Sequence, residues 1–189
     1  MKKYEFTGET KVINDWRGTV TLHRIRAVVA FGLVKVGDIG GWIEKEENLP
    51  HEDMSWVYGN AKVYGNAEVW GDAKVCGNAE VWGDAEVWGD AEVCGNAKVW
   101  GNARVWGNAR VFSASHVLVI GAIGGRNDFT TFFRDKDNEI TVKCGCFLGK
   151  IDKFLEKVTA THGNSKYALV YRVAVEVAKL QIDLTEEAP

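Results

Sequence analysis

Nine hexads run without insertion from Gly59 to Phe112, reading GNAKVY GNAEVW GDAKVC GNAEVW GDAEVW GDAEVC GNAKVW GNARVW GNARVF. A fixed short period admits only architectures made of stacked repeats. Within each hexad, Ala and Val alternate with a charged residue and a large outward one, the period of a strand with one buried face. Gly followed by Asn or Asp supplies a corner, because these residues adopt positive φ at the least cost. One hexad is therefore a strand of about four residues and a turn, too short to stand alone, so hexads must stack to bury Ala and Val.

The outward positions set the coil length. Every third hexad aligns Tyr64, Trp82 and Trp100 in one column, Trp70, Trp88 and Trp106 in a second, and Cys76, Cys94 and Phe112 in a third. The charged position agrees: Lys62, Glu80 and Lys98 alternate in sign, as do Lys74, Glu92 and Arg110, and only Glu68 beside Glu86 sets like charges next to each other. Three strands per coil, with coils about 4.8 Å apart, make a triangular parallel β-helix of 18 residues per coil.

Valine followed four residues later by alanine, as in Val63 and Ala67 or Val81 and Ala85, resembles the hexapeptide-repeat superfamily. The resemblance implies a left-handed helix. It covers Gly59 to Phe112 and extends, in imperfect coils, to Asp53 before and Leu118 after. The expected organisation is an N-terminal β cap with a first irregular coil over residues 1–52, the β-helix over 53–118, and a C-terminal ββαα module over 119–189.

A formal charge of −3 and a pI near 5.8 give no global case for nucleic acid. No apolar run approaches the roughly 20 residues of a membrane span, and MKKYEFTGETKV lacks the apolar core of a signal peptide. The expected location is cytoplasmic, or the host cytoplasm for a phage-encoded chain. Free thiols are expected at all four cysteines.

Before the repeat, Lys3–Phe6, Lys11–Ile13 and Thr19–Arg26 alternate as strands. They would shield the open strand edges at the helix end. Gly40-Gly41-Trp42 reads as a tight corner. After it, Phe129–Arg134 and Glu139–Cys144 read as two strands joined by Asp135–Asn138. Ile151, Phe154, Leu155 and Val158 then fall at helical spacing, ending at His162-Gly163. A second helix is expected to bury Tyr167, Val170, Tyr171, Ala174, Val177 and Ala178, with Asn164 or Ser165 as N-cap. The tail after Asp183 is expected to fray.

IGGRNDFTTFF, then VKCGCFLGKIDKFLEKVTATHG and a later Tyr, resembles a module that follows hexapeptide repeats in bacterial and phage or prophage proteins of mostly unassigned function. Gly125 stands where that module commonly has Ser, and Lys150 where a hydroxyl N-cap is usual.

The superfamily resemblance implies coenzyme A-dependent acyl transfer as the first enzyme reading, with a histidine base. The repeat carries no excursion, and His116 is the only histidine near it, more readily a cap residue than a catalyst. His23, His51, His116 and His162 lack the spacing of a three-histidine zinc site, and Cys144-Gly145-Cys146 reads as a half-buried strand end; neither a metal nor a cofactor is expected. Gly-Gly-Arg126-Asn127 can present N–H groups and a guanidinium to an anion, with Thr130, Thr131 and Arg134 completing a cradle. The leading expectation is a non-enzymatic homo-oligomer, dimer or trimer, that associates through Tyr64, Trp70, Trp82, Trp88, Trp100 and Trp106. It would bind or sequester a small anionic, nucleotide-like ligand or block a host protein, as a host-defence antagonist would. A virion assembly module is the third reading.

Overall fold

A computed structural model describes residues 1–15 and 18–185. Three strands open the chain: β1 (Tyr4–Asp15), β2 (Gly18–Ala27) and β3 (Ile39–Ile43). β1 and β2 form an antiparallel hairpin, β3 runs antiparallel to β2, and β3 then lies parallel to the first repeat strand on its face. The cap therefore continues a solenoid sheet sideways instead of sitting over it.

The repeats supply β4 (Trp56–Val57), β5 (Lys62–Val63), β6 (Glu68–Val69), β7 (Lys74–Val75), β8 (Glu80–Val81), β9 (Glu86–Trp88), β10 (Glu92–Val93), β11 (Lys98–Val99), β12 (Arg104–Trp106) and β13 (Arg110–Val111). They stack in parallel as β3-β5-β8-β11, β4-β7-β10-β13 and β6-β9-β12, four rungs on two faces and three on the third. Glu92 pairs with both Lys74 and Arg110 in register, so neighbours are 18 residues apart, as the columns required. The strands are two or three residues long, shorter than expected, because the Gly-Asn or Gly-Asp corner and its flanks occupy the rest of each hexad. Every repeat Ala and Val from Ala61 to Val111 is fully buried, and each buried Val contributes roughly 1.5–3 kcal/mol. The like-charged step is relieved on both sides: Trp70 Nε1 donates to Glu68 Oε2 at 2.8 Å, and Arg104 Nε lies 3.4 Å from Glu86 Oε1.

Open carbonyls at the first coil are met by side chains. Asn48 Nδ2 donates to Gly65 O (3.1 Å) and Ala67 O (2.8 Å), and Ser55 Oγ to Val69 O (2.9 Å). Such edges otherwise recruit another chain. The N-terminal strands and the solenoid share one continuous core, from Tyr4 and Ile25 through to Val111 and Phe133.

The last coil is closed by an antiparallel sheet of β14 (Val117–Ile123), β15 (Asp128–Arg134), β16 (Ile140–Cys144) and β17 (Phe147–Lys150). Phe133 enters the solenoid core and Thr131 Oγ1 accepts the N–H of Arg104 at 2.9 Å. Phe132 and Val142 enter a second core against α1 (Ile151–His162) and α2 (Lys166–Gln181).

Several expectations need correction. Cys76 and Cys94 form a disulfide, not free thiols: stacking on adjacent coils sets their Cα atoms 4.4 Å apart. Gly40 and Gly41 lie within β3 and not at a corner, where a Cβ on Gly40 would stand 2.6 Å from Ile25 and one on Gly41 2.5 Å from Val57. α2 is rotated relative to the expected face. It buries Ala168, Tyr171, Ala174, Val175 and Ala178 and leaves Tyr167, Val170 and Val177 exposed, since small residues let the helix approach the sheet closely. Ser165 holds the N-cap position, yet its side chain makes no capping bond. Past α2 the chain is tied down, Asp183 N–H to Ser115 O (3.1 Å) and Asn138 Nδ2 to Leu184 O (2.8 Å); the remainder of the tail expected to fray, from Glu186, lies outside the described residues.

Candidate functional site

The antiparallel order of the C-terminal sheet puts the β14–β15 turn and the β16–β17 turn at the same end. Between those turns and the two helices lies a cavity of about 150 Å³. The first turn brings Gly125 and Arg126, and the second Cys144, Gly145, Cys146 and Phe147. α1 contributes Phe154, Lys157, Val158, Thr161 and His162, and α2 contributes Tyr171. The floor is aromatic, with Phe154 5.3 Å from Phe147 and 5.5 Å from Tyr171 between ring centroids, while His162 tilts over Tyr171 at 5.8 Å.

The turns reach this closely because they lack side chains where the walls meet. Gly124 takes φ +73°, and a Cβ there would stand 1.9 Å from Tyr171 Oη; one on Gly145 would stand 3.4 Å from the Arg126 guanidinium. Cys144 Sγ lies 3.8 Å from Tyr171 Oη and 3.3 Å from Thr130 Oγ1. Burial, with the Cys144 sulfur beside it, pushes the Tyr171 phenol up to about 12, so it stays a neutral hydroxyl at physiological pH.

The charges are unbalanced. Asp128 also lines the cavity, but its carboxylate is turned to Arg104 of β12, 3.6 Å away, and to its neighbour Phe129 N–H at 2.7 Å. Among the described residues Arg126 and Lys157 make no ion pair or hydrogen bond. The carboxyl end of α1 would disfavour an anion, but the amino end of α2 begins four residues later, so the two helix dipoles oppose each other there. Arg172 also offsets the α1 end, donating to Gly163 O at 3.3 Å.

Of the expected cradle, only Arg126 reaches the cavity, and Asn127 stands beside it in the turn at φ +49°. Thr130, Thr131 and Arg134 are buried and run away along β15, so they do not join it: Thr130 packs on Cys144, Thr131 holds β12, and the Arg134 guanidinium lies 5.9 Å from the Phe112 ring. "Two residues on" in sequence becomes a strand here, and a strand carries its side chains away at about 3.3 Å per residue. His116 is fully buried, its Nδ1 accepting Phe112 N–H at 3.1 Å and its Nε2 3.4 Å from Arg134, so it serves the cap and cannot reach a substrate.

Tyr64 is likewise corrected as an interface residue, being buried under Leu22 and Val20 of the N-terminal hairpin. Lys143 Nζ lies over Trp106 at 3.7 Å and covers that ring from β16. Trp82 is half-buried between Tyr64 and Trp100, stacked on each. Trp70, Trp88 and Trp100 stay exposed, the first two on one column and Trp100 on another.

Lys157, His162 and Tyr171 were missed as a set. The helical stripe that holds Phe154 and Val158 also carries Lys157, Thr161 and His162, but an apolar pattern discards the polar members. Among the described residues no three His, Cys, Asp or Glu side chains cluster as a metal site, and no helix is long and apolar enough to cross a membrane. The sequence matches no known protein-family model, and no curated protein matches it either.

Proposed function

We propose that this chain is a non-enzymatic β-solenoid binding protein whose C-terminal module takes a small anionic, nucleotide-like ligand. One observation carries the reading: two cations that make no ion pair or hydrogen bond among the described residues, Arg126 and Lys157, line one cavity over a floor of Phe147, Phe154 and Tyr171. Two exposed cations at one mouth attract an anion, which can take charge-assisted hydrogen bonds from both. A space of about 150 Å³ accepts one benzene-sized ring. The cavity thus suits one ring or one phosphate group of a ligand whose remainder stays at the mouth.

The solenoid, left-handed by its superfamily resemblance, serves as the rigid support. The resemblance to a phage or prophage module makes sequestration of a host signal, or antagonism of host defence, the biological extension of this reading, and a homo-oligomer its assembled form. His116, the candidate base of the acyl-transfer reading, is enclosed.

Native mass spectrometry of protein purified from cells, followed by calorimetry with inorganic phosphate, AMP and ADP, tests the reading. At least one of these anions should bind the wild type, and Arg126→Ala/Lys157→Ala should weaken it at least tenfold with an unchanged thermal transition. Equal binding by wild type and variant, or binding of none of the three with no ligand retained from cells, would reject the site.

A further inference from the structure

The rotation of α2 leaves an apolar stripe with nothing over it among the described residues. Leu169 is 61% exposed, Val173 55%, Val177 42% and Leu180 90%, with Val170 at 40% on the flank. They lie on the side of the helix opposite Ala168, Tyr171, Val175 and Ala178, which pack on the sheet. A groove between α1 and α2 runs alongside, lined by Leu155, Arg172, Val173, Glu176, Val177 and Leu180. Helices of soluble domains bury one stripe and wet the other; here both are apolar.

We infer that this stripe is a self-association surface, on which a second copy of the chain docks its own α2 antiparallel about a two-fold axis. From the exposed fractions of its side chains the strip amounts to on the order of 500 Å², in the upper part of the roughly 300–600 Å² of the largest patch on a monomer. Two such strips face to face remove on the order of 1,000 Å², the least that a specific interface needs. Charge fixes the direction. The flank reads Arg172, Glu176, Lys179; parallel docking about a two-fold axis lays it on the opposite, apolar flank of Val170 and Val177, whereas antiparallel docking turns it on its own inverted copy and sets Glu176 of each copy against Arg172 of the other. An isologous contact of this form closes at two copies. The exposed rings of the solenoid are less suited, since Trp70 and Trp88 share a column and Trp100 lies on another.

Sedimentation velocity of the full chain at tens of micromolar reads this directly. The wild type should run at twice 20.9 kDa. Leu180→Lys and Val173→Glu should each halve that mass with an unchanged thermal transition, while Trp88→Glu should leave it dimeric. Arg172→Glu alone should weaken the dimer, and Arg172→Glu/Glu176→Arg should restore it. Because Leu180 is the most exposed of these residues, its variant tests the surface even where Val173→Glu disturbs the helix. A monomeric wild type overturns the inference, including one that floats with anionic lipid vesicles and so assigns the strip to a membrane. A dimer that survives Leu180→Lys but dissolves with Trp88→Glu overturns it as well.

Discussion

Lys3 Nζ lies 2.7 Å from Asp53 Oδ1, and this ion pair fastens the first strand to the first coil of the solenoid. The ammonium is buried and also donates to Ser55 O (2.9 Å) and Ser55 Oγ (3.1 Å), while the carboxylate accepts Gly71 N–H (2.7 Å). Burial raises the Asp53 carboxyl, but Lys3, Ser55 and Gly71 outweigh it and hold it below its ordinary value. Burial moves Lys3 the other way from what a partner would do, and it sits below its ordinary value despite Asp53. The two shifts are compatible: the carboxylate has several donors at a half-open site, whereas the ammonium has lost nearly all its water.

Removing the carboxylate is therefore worse than removing the ammonium. Asp53→Asn strands a buried cation and should cost on the order of 3–5 kcal/mol, with Lys3→Met costing distinctly less. Since the Asp53 carboxyl is depressed in the fold, the stability it contributes is complete above its ordinary value of 3.8 and is lost as pH falls below it. Urea unfolding at pH 7 and pH 3 should show a larger loss in the wild type than in Asp53→Asn, whose remaining loss comes from the other depressed carboxyls, Glu46 and Asp135.

The inward Val columns make a second test. Val81→Asp places a carboxylate between fully buried Val63 and Val99, where it has no donor to meet it. The cost is several kcal/mol, enough to lower the thermal transition steeply. An unchanged transition would contradict the packing of the whole solenoid.

Cys76 and Cys94 close an 18-residue loop that is one coil of the solenoid. A loop of that length gives about 3 kcal/mol in the chain-entropy account. Cys76→Ser/Cys94→Ser should lower stability by up to that amount, and dithiothreitol should do the same to the wild type while leaving the variant unaffected. Equal stability of oxidised and reduced wild type would show that the stacked coils already impose the constraint.

At the cavity, the two adjacent glycines should part company. Gly124→Ala drives a Cβ into Tyr171 Oη and should both lower the melting temperature and abolish anion binding, whereas Gly125→Ala meets nothing nearer than His162 at 3.9 Å and should leave the melting temperature nearly as it was. The Tyr171 phenol gives a spectroscopic check. With its ionisation pushed up to about 12 against an ordinary 10, the difference absorbance between wild type and Tyr171→Phe should rise near pH 12. The fold then holds a proton that the unfolded chain loses, so stability should decline as pH rises above about 10.

The solenoid was legible in the sequence because a repeat states the same fact nine times: columns of Trp, Cys and alternating charge can be read against each other until only one coil length fits. The site was not legible in that way. Arg126 was found because Gly-Gly-Arg-Asn announces a turn, but Thr130, Thr131 and Arg134 follow it along an extended strand that no local pattern distinguishes from a cradle. Lys157 and His162 approach from a helix some thirty residues later, held in the second core by Phe154 and Val158 and not by any local pattern around Arg126. Ala168, Ala174 and Ala178 explain the misjudged face of α2, since periodicity weighs Val above Ala although close approach to a sheet favours Ala. Tyr64 shows the remaining gap: its column was right, but the hairpin that covers it comes from forty residues upstream.

Because every face repeats after 18 residues and the two ends are finished by different structures, coil number acts as a ruler with a dial. Adding one full coil would lift the C-terminal module about 4.8 Å farther from the N-terminal hairpin without turning it. Adding a single hexad would instead swing it to the next side of the triangle. Chains that differ only in repeat count would thus carry the same cavity at different heights and bearings, a way to vary the spacing of a binding surface while leaving its chemistry untouched.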